Sequence, residues 1–125
     1  MKSPEDVLEA LKSVEDPRTL DDLVYLVLML VPIGRVVSYS ALAKVVGTSP
    51  RRIGLAMARN RGAPVIPCHR VVKKDGSLGG YSLGGVEVKA RLLEIEGIAV
   101  DRRSMRIPRE ALFDEELIKA LGLDK

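Results

Sequence analysis

The stretch that most constrains the fold is the apolar run from Leu23 to Ile33, broken only by Tyr25 and Pro32. It is well short of the roughly 20 residues needed to span a bilayer, so it reads as a buried helix. Thr19 offers a cap oxygen, and Asp21-Asp22 put negative charge at the helix start, where the macrodipole favours it. Pro32-Ile33-Gly34 ends the run. The expected helix spans roughly 20 to 31, is apolar nearly all round, and belongs at the centre of a core. That core must be aliphatic, because aromatic residues make up 3% of the chain and Trp is absent. With 125 residues, 46% of them hydrophobic, the chain supports one domain with a real core.

Other start and stop signals fill in the rest. Ser3 with Pro4 opens a first helix carrying Val7, Leu8 and Leu11, which ends near Asp16-Pro17. Val36-Val37 is a short extended piece. Ser38 caps a helix bearing Ala41, Leu42, Val45 and Val46, and Gly47 closes it. The link Thr48-Ser49-Pro50 leads to another helix, roughly 51 to 60. A helix, a Gly-containing turn and a second, basic helix outline a helix-turn-helix. Gly54, Ala56 and Ala58 keep that second helix thin while Arg51, Arg52 and Arg59 make it positive. Such a helix suits close approach to a phosphate backbone or a narrow groove, or else close packing against the apolar helix at 20 to 31, and both can hold on opposite faces. Lys74-Asp75-Gly76 signals a hairpin turn. Gly79-Gly80-Tyr81 and Gly84-Gly85 form a flexible loop. Val86 to Glu96 is expected as a helix with Val88, Leu92, Leu93 and Ile95 inward, and Pro108 to Leu121 as a last amphipathic helix. The fold class expected is mainly α: a compact helical domain containing a helix-turn-helix, with a short β-hairpin or extended segment at the active-site loop. Residues 1–19 are expected as an N-terminal helical extension, 20–98 as the main domain, and 99–125 as a C-terminal helical extension packed on the same domain.

Charge is unevenly spread. From Leu23 to Lys74 there is no Asp or Glu but nine basic residues: Arg35, Lys44, Arg51, Arg52, Arg59, Arg61, Arg70, Lys73 and Lys74. One continuous basic block suits a polyanionic partner. The polar, acidic N-terminus carries no secretory signal, so the expected location is cytoplasmic. Asn60 is the one asparagine and Gln is absent, a scarcity of thermolabile amides that suits a thermophilic source. A lone cysteine excludes an internal disulfide and a Cys-rich zinc site, so no metal is expected. That cysteine, Cys68, is followed by the chain's one histidine, His69. On its own the pair is a modest coincidence, since free Cys is usually buried for packing.

The surroundings of Cys68 give the pair meaning. Val31-Pro32-Ile33-Gly34-Arg35-Val36-Val37-Ser38-Tyr39 with Leu42-Ala43, then Ile53-Gly54, Ala56-Met57 and Asn60, resemble the active domain of the O6-alkylguanine-DNA alkyltransferases. So do Pro67-Cys68-His69-Arg70-Val71-Val72, Asp75-Gly76, Leu78-Gly79-Gly80-Tyr81, Lys89 with Leu92-Leu93, and Glu96-Gly97. The resemblance covers about residues 20 to 98. It implies stoichiometric repair without a cofactor, in which the alkyl group on guanine O6 moves irreversibly to Cys68. His69, acting through a water and oriented by Glu96, would take the thiol proton, since the thiolate is the reactive form. By the same resemblance Tyr39 protonates guanine N3, and Asn60 stabilises the thiolate and its loop. Tyr81 and Ser82 close over the base, beside Met57, with the Val71-Val72 backbone reading the guanine. The target carbon is unreachable inside a duplex, so the base is flipped out. Arg51, with Arg52 a close competitor, would fill the vacated stack. Arg59, Ser38, Arg70 and Gly54 complete the implied DNA contacts. The implied partner is double-stranded DNA containing O6-alkylguanine, met by a monomer and without a membrane.

Three departures accompany the resemblance. Only about 20 residues precede it, so the family's usual N-terminal domain is nearly absent. The turn from Gly47 to Arg51 is shorter than the pattern, and Tyr81 to Lys89 is one residue longer. Two other readings compete. Alkyltransferase-like proteins bind the lesion without transfer, but typically carry another residue, often Trp, where Cys68 stands. A plain helix-turn-helix regulator leaves Pro67-Cys68-His69-Arg70 unexplained, and a cysteine hydrolase lacks an evident oxyanion site.

Overall fold

The computed structural model describes residues 17–63 and 65–122. The expected helix over residues 3–16 lies outside the described residues. Helix α1 (Pro17–Leu28) is the expected apolar helix, shifted toward the N-terminus and starting ahead of Thr19. Leu23, Val24, Val27 and Leu28 form its buried stripe, whereas Leu26, Met29 and Leu30 are 51%, 51% and 41% exposed. The sequence is apolar nearly all round, yet only the face at three- and four-residue spacing is covered. The helix borders the core instead of running through it.

Strand β1 (Val37–Ser38) leads directly into α2 (Tyr39–Val46). Ser38 is the N-cap, its hydroxyl accepting the Ala41 N–H at 3.0 Å. Gly47 ends α2 at φ +88°, a left-handed conformation that costs other residues a steric penalty, and its N–H returns to the Ala43 carbonyl. Helix α3 (Pro50–Ala58) follows with Ser49 as cap and Pro50 at its first position, where no N–H is needed. The pair forms the expected helix-turn-helix. A 3-10 turn at Cys68–Arg70 then feeds strand β2 (Val71–Val72), which pairs with β1 in parallel, Val37 opposite Val71 and Ser38 opposite Val72. Parallel pairing needs a crossover, and α2–α3 supplies it.

Lys74-Asp75-Gly76 does form the expected hairpin turn, closed by Gly76 N–H on the Lys73 carbonyl and Lys73 N–H on the Ser77 carbonyl, both at 2.9 Å, but no ladder extends from it along β2. Ser77 instead bridges Arg106 in antiparallel fashion, and Leu78 N–H donates to Met105 O. The extended segment is present; its partners are β1 and the tail. Alternation along β1 and β2 separates two apolar clusters. Val37 and Val71 join α1, α2, α3 and Cys68, whereas Val36 and Val72 join Leu78, Ala90, Leu93, Ile98, Ile107 and Ala111.

Helix α4 (Gly85–Ile95) turns Lys89, Ala90 and Leu93 inward, while Val88 is 40% and Ile95 70% exposed, so the expected inward set is rotated. The expected tail helix is two pieces, a 3-10 turn at Arg109–Ala111 and α5 (Asp114–Ala120). The break has a cause: Val36 N–H donates to Ala111 O at 2.9 Å and Phe113 N–H to Val36 O at 2.6 Å. Backbone that pairs with a strand edge at Leu112 cannot also be helical. Leu117 and Leu121 dock on the first cluster. No helix is long and apolar enough to cross a membrane among the described residues.

Candidate active site

Cys68 sits at the start of the 3-10 turn, 4% exposed, with its backbone N–H on the Ile66 carbonyl at 2.8 Å. Asn60 staples the loop before it. The Asn60 amide donates to that same Ile66 carbonyl at 2.9 Å, and its side-chain oxygen accepts Gly62 N–H at 2.9 Å. Short polar side chains do this well because they reach backbone groups within a few residues.

The next two residues share one carboxylate. Glu96, at the end of α4, accepts from Arg70 Nε at 2.9 Å and Nη2 at 2.8 Å, and from His69 Nε2 at 2.9 Å. The remaining Arg70 nitrogen donates to Val31 O at 3.0 Å. A carboxylate only accepts, so Nε2 carries the histidine proton and Nδ1 keeps the free lone pair. Nδ1 is buried, with no protein partner among the described residues. Burial holds the His69 pKa below its ordinary value, although Glu96 pulls the other way, so the ring is a neutral base at neutral pH. Burial alone would raise the Glu96 carboxyl, but hydrogen bonds from Arg70 and His69 hold it below the usual carboxylate range.

Cys68 opens into a cavity of about 300 Å³ lined by Tyr39, Gly54, Met57, Ala58, Gly80, Tyr81 and Ser82. Tyr39 occupies the first position of α2, placed by the Ser38 cap. Burial, then the neighbouring Cys68, push its pKa up and keep the hydroxyl a donor. Tyr81 shifts upward for the same reasons and stands edge-on to His69, 6.4 Å between ring centres. Gly79 packs beside Tyr39, where an added Cβ would make ordinary contact at 3.5 Å from the hydroxyl oxygen, and its φ of +73° is what favours glycine there. The cavity is bounded by α2, α3, the 3-10 turn and the glycine loop, which bring Tyr39, Met57, Tyr81 and Ser82 together beside Cys68.

Lys89 is a site neighbour that sequence reasoning left without a role. It is fully buried and donates to the carbonyls of Leu78 and Gly80, the latter at 3.1 Å, with its ammonium 5.9 Å from the Tyr39 ring centre. Burial drives its pKa down to about 8, against the attraction of Cys68. It fastens the glycine loop that walls the cavity. The signal was available: Val86, Lys89, Ala90 and Leu93 form one helical stripe, and a lysine there must find buried acceptors.

Several implied DNA contacts are placed differently. Ser38 is fully buried, its hydroxyl spent on Ala41 N–H and on Asp114, so it presents nothing to a phosphate. Arg70 is committed to Glu96 and Val31, because a bidentate carboxylate outcompetes a solvated surface position. Val71 and Val72 are fully buried and do not line the cavity; their backbone belongs to the β1–β2 pair. Asp21 holds both Arg52 at 2.8 Å and Arg59 at 3.0 Å. Arg51 stays exposed on a shallow cleft with Lys73 and Lys74 that shares Tyr39 and Gly54 with the main cavity. Among the described residues no three His, Cys, Asp or Glu side chains are grouped as a metal ion would require.

Comparison with known proteins gives a consistent result. The family profile described as "6-O-methylguanine DNA methyltransferase, DNA binding domain" matches residues 19–98. The methylated-DNA–protein-cysteine methyltransferase of Pyrobaculum aerophilum is 50% identical over 101 residues, covering 78% of this chain and 68% of the relative. Other curated relatives are longer, the chain spanning 46% and 40% of two of them. Among solved structures, the O6-methylguanine-DNA methyltransferase of the hyperthermophilic archaeon Pyrococcus kodakaraensis strain KOD1 superposes with a TM-score of 0.58 at 51% identity. That match covers 62% of this chain and 45% of that one. S. pombe Atl1, solved with damaged DNA containing O6-carboxymethylguanine, gives a TM-score of 0.63 at 25% identity, covering 72% of this chain and 86% of that one.

Proposed function

The chain belongs to the 6-O-methylguanine DNA methyltransferase family, and on that basis we propose that it repairs duplex DNA by taking the methyl group of O6-methylguanine onto Cys68. The observation that carries the reading is Cys68 opening into a base-sized cavity, backed by the His69–Glu96–Arg70 chain of hydrogen bonds. The target guanine leaves the stack, at a cost of a few kcal/mol, and enters this cavity. Arg51 takes its place in the duplex. Of the two candidates it is the one not held on Asp21. Lys73 and Lys74, exposed beside Arg51, bind phosphates with little sequence preference.

In the reaction His69 Nδ1 accepts the thiol proton through a water, and the thiolate attacks the methyl carbon. The S–C bond forms as the C–O6 bond breaks, and the electron pair passes into the guanine ring. Tyr39 delivers a proton to N3, so the base departs neutral. The proton on His69 returns through solvent to the Tyr39 phenolate, and the N3-protonated base exchanges with solvent to the ordinary N1–H form. The products are S-methylcysteine at Cys68 and unmodified guanine, with the thiol proton as the base's net gain. Nothing regenerates the thiol, so each molecule acts once.

Intact-protein mass spectrometry after incubation with a duplex holding one O6-methylguanine tests the proposal. A gain of one methyl group, mapped to the peptide containing Cys68, is the expected result. No gain, together with tighter binding to the lesion duplex than to plain DNA, moves the protein to the lesion-sensing reading that its likeness to S. pombe Atl1 keeps in view. The pH profile gives a second check. Because the His69 pKa is lowered, the base form persists into mild acid, and the transfer rate at saturating duplex should fall only below the ordinary histidine value of about 6.5. Stability follows the same sign. The unfolded chain takes up the proton first, so the contribution is present above that ordinary value and is lost as pH falls through the folded one. A rate that declines already above pH ~7 would remove His69 from the role of base.

A further inference from the structure

The tail from residue 99 onward lies beyond the region matched by the family profile, yet it grips the segment that delivers Tyr39 to the cavity. Every residue from 35 to 38 except Val37 is bonded to it. Arg35 donates to the carbonyls of Ala111, at 3.1 Å, and Leu112, pairs with Glu116, and lies 5.2 Å above the Phe113 ring. Val36 exchanges both backbone groups with Ala111 and Phe113. At Ser38 the two oxygens of one carboxylate take both donors: Asp114 Oδ1 accepts the backbone N–H at 2.8 Å and Oδ2 the hydroxyl at 2.7 Å. Ser38 is fully buried, so neither donor has water to fall back on.

The last contact has a directional consequence. A serine hydroxyl rotates freely, and to cap a helix its lone pair must face the helix N–H groups. With its proton drawn to Asp114, the Ser38 oxygen turns a lone pair to Ala41 N–H at 3.0 Å. The tail carboxylate therefore sets the first turn of α2, and Tyr39 is the first residue of that turn. An amide in place of the carboxylate offers one acceptor oxygen instead of two and leaves one Ser38 donor unmatched.

We propose that Asp114 is a positioning residue for Tyr39: by holding both donors of Ser38 it fixes the start of α2, and with it the place of the Tyr39 hydroxyl in the cavity. This rests on the reading of Tyr39 as the proton donor to guanine N3. Misplacement of a catalytic group by about 1 Å can cost up to 10²-fold. Tyr39 keeps its packing on Gly79 and Lys89 when Asp114 is changed, so the loss expected is closer to tenfold.

The test is single-turnover transfer at saturating duplex by the full chain, on O6-methylguanine and on its 3-deaza analogue, which has C–H where N3 would accept the proton. The unaltered protein should be slower on the analogue. Asp114→Asn should lose roughly tenfold on O6-methylguanine, with unchanged duplex affinity, and almost nothing on the analogue, where placing the hydroxyl no longer matters. Asp114→Glu, which keeps two acceptor oxygens, should recover most of the rate. Ser38→Ala, which removes only the hydroxyl half of the contact, gives the same substrate-selective loss in milder form if Asp114→Asn does not fold. An equal loss on both substrates, or none on either, overturns the positioning role while leaving Tyr39 as proton donor intact. Equal rates of the unaltered protein on the two substrates overturn the Tyr39 role, and the proposal with it.

Discussion

Replacing Cys68 by serine is expected to abolish methyl transfer while leaving lesion binding in place. Sulfur attacks as a thiolate, which an ordinary cysteine forms near pH 8.5, whereas a serine hydroxyl stays protonated throughout the working range. Sulfur is also the softer and more polarizable atom for displacement at a methyl carbon. His69 remains, but a neutral imidazole cannot hold a serine as alkoxide. The pocket is hardly altered, because the two side chains differ by one atom and Cys68 is only 4% exposed. A buried hydroxyl without a partner costs about 1–3 kcal/mol, too little to unfold most domains. Intact mass should show no methyl gain in the variant, and titration with lesion duplex should show affinity close to that of the unaltered protein. A methyl gain that survives Cys68→Ser would place the acceptor elsewhere and end the proposal.

Glu96→Ala is expected to produce the largest loss of stability at the site. Glu96 gathers two bonds from Arg70 and one from His69, and the side chains of Arg70 and Glu96 are only 12% and 14% exposed. Removing one partner of a buried pair leaves the other charge uncompensated and costs about 3–5 kcal/mol. Arg70 keeps its bond to the Val31 carbonyl, which places the effect toward the lower end. In a chain of this size that corresponds to a fall in melting temperature of about 10 °C. Transfer suffers as well, because nothing then fixes which ring nitrogen of His69 holds the proton. Loss of an oriented general base costs roughly 10²-fold. Glu96→Gln, which keeps an acceptor oxygen, should lose less on both counts. Thermal denaturation and single-turnover rates check this together, and a melting point within a degree or two of the unaltered protein would show that Arg70 and His69 find other partners.

Much of this site was legible in the sequence. Cys68-His69 next to Pro67 and Arg70, the caps Ser38 and Gly47, and the thin basic helix after Ser49 are local features whose chemistry does not depend on distant residues. They obey turn and cap rules that act within a few positions. The acid-free span from Leu23 to Lys74 announced a polyanion-facing surface for the same reason: charge is a property of composition. What could not be read was the assignment of partners. Arg51 and Arg52 are adjacent and alike, and only Asp21, a helix away, separates the exposed one from the paired one. Ser38 and Arg70 looked like phosphate ligands until Asp114 and Glu96 turned out to hold them.

Hydrophobic periodicity, capping and charge act at short range, so the order of residues was enough to indicate most of the helices, a candidate nucleophile and a basic segment. Packing in three dimensions decided that β1 pairs with β2 in parallel, that Lys89 lies buried under the cavity, and that the tail breaks at Leu112 to brace the start of α2. Each of those outcomes is a choice among distant donors and acceptors. The deciding quantity is whether a buried polar group finds its partner, and the chain settles that only once it has closed on itself.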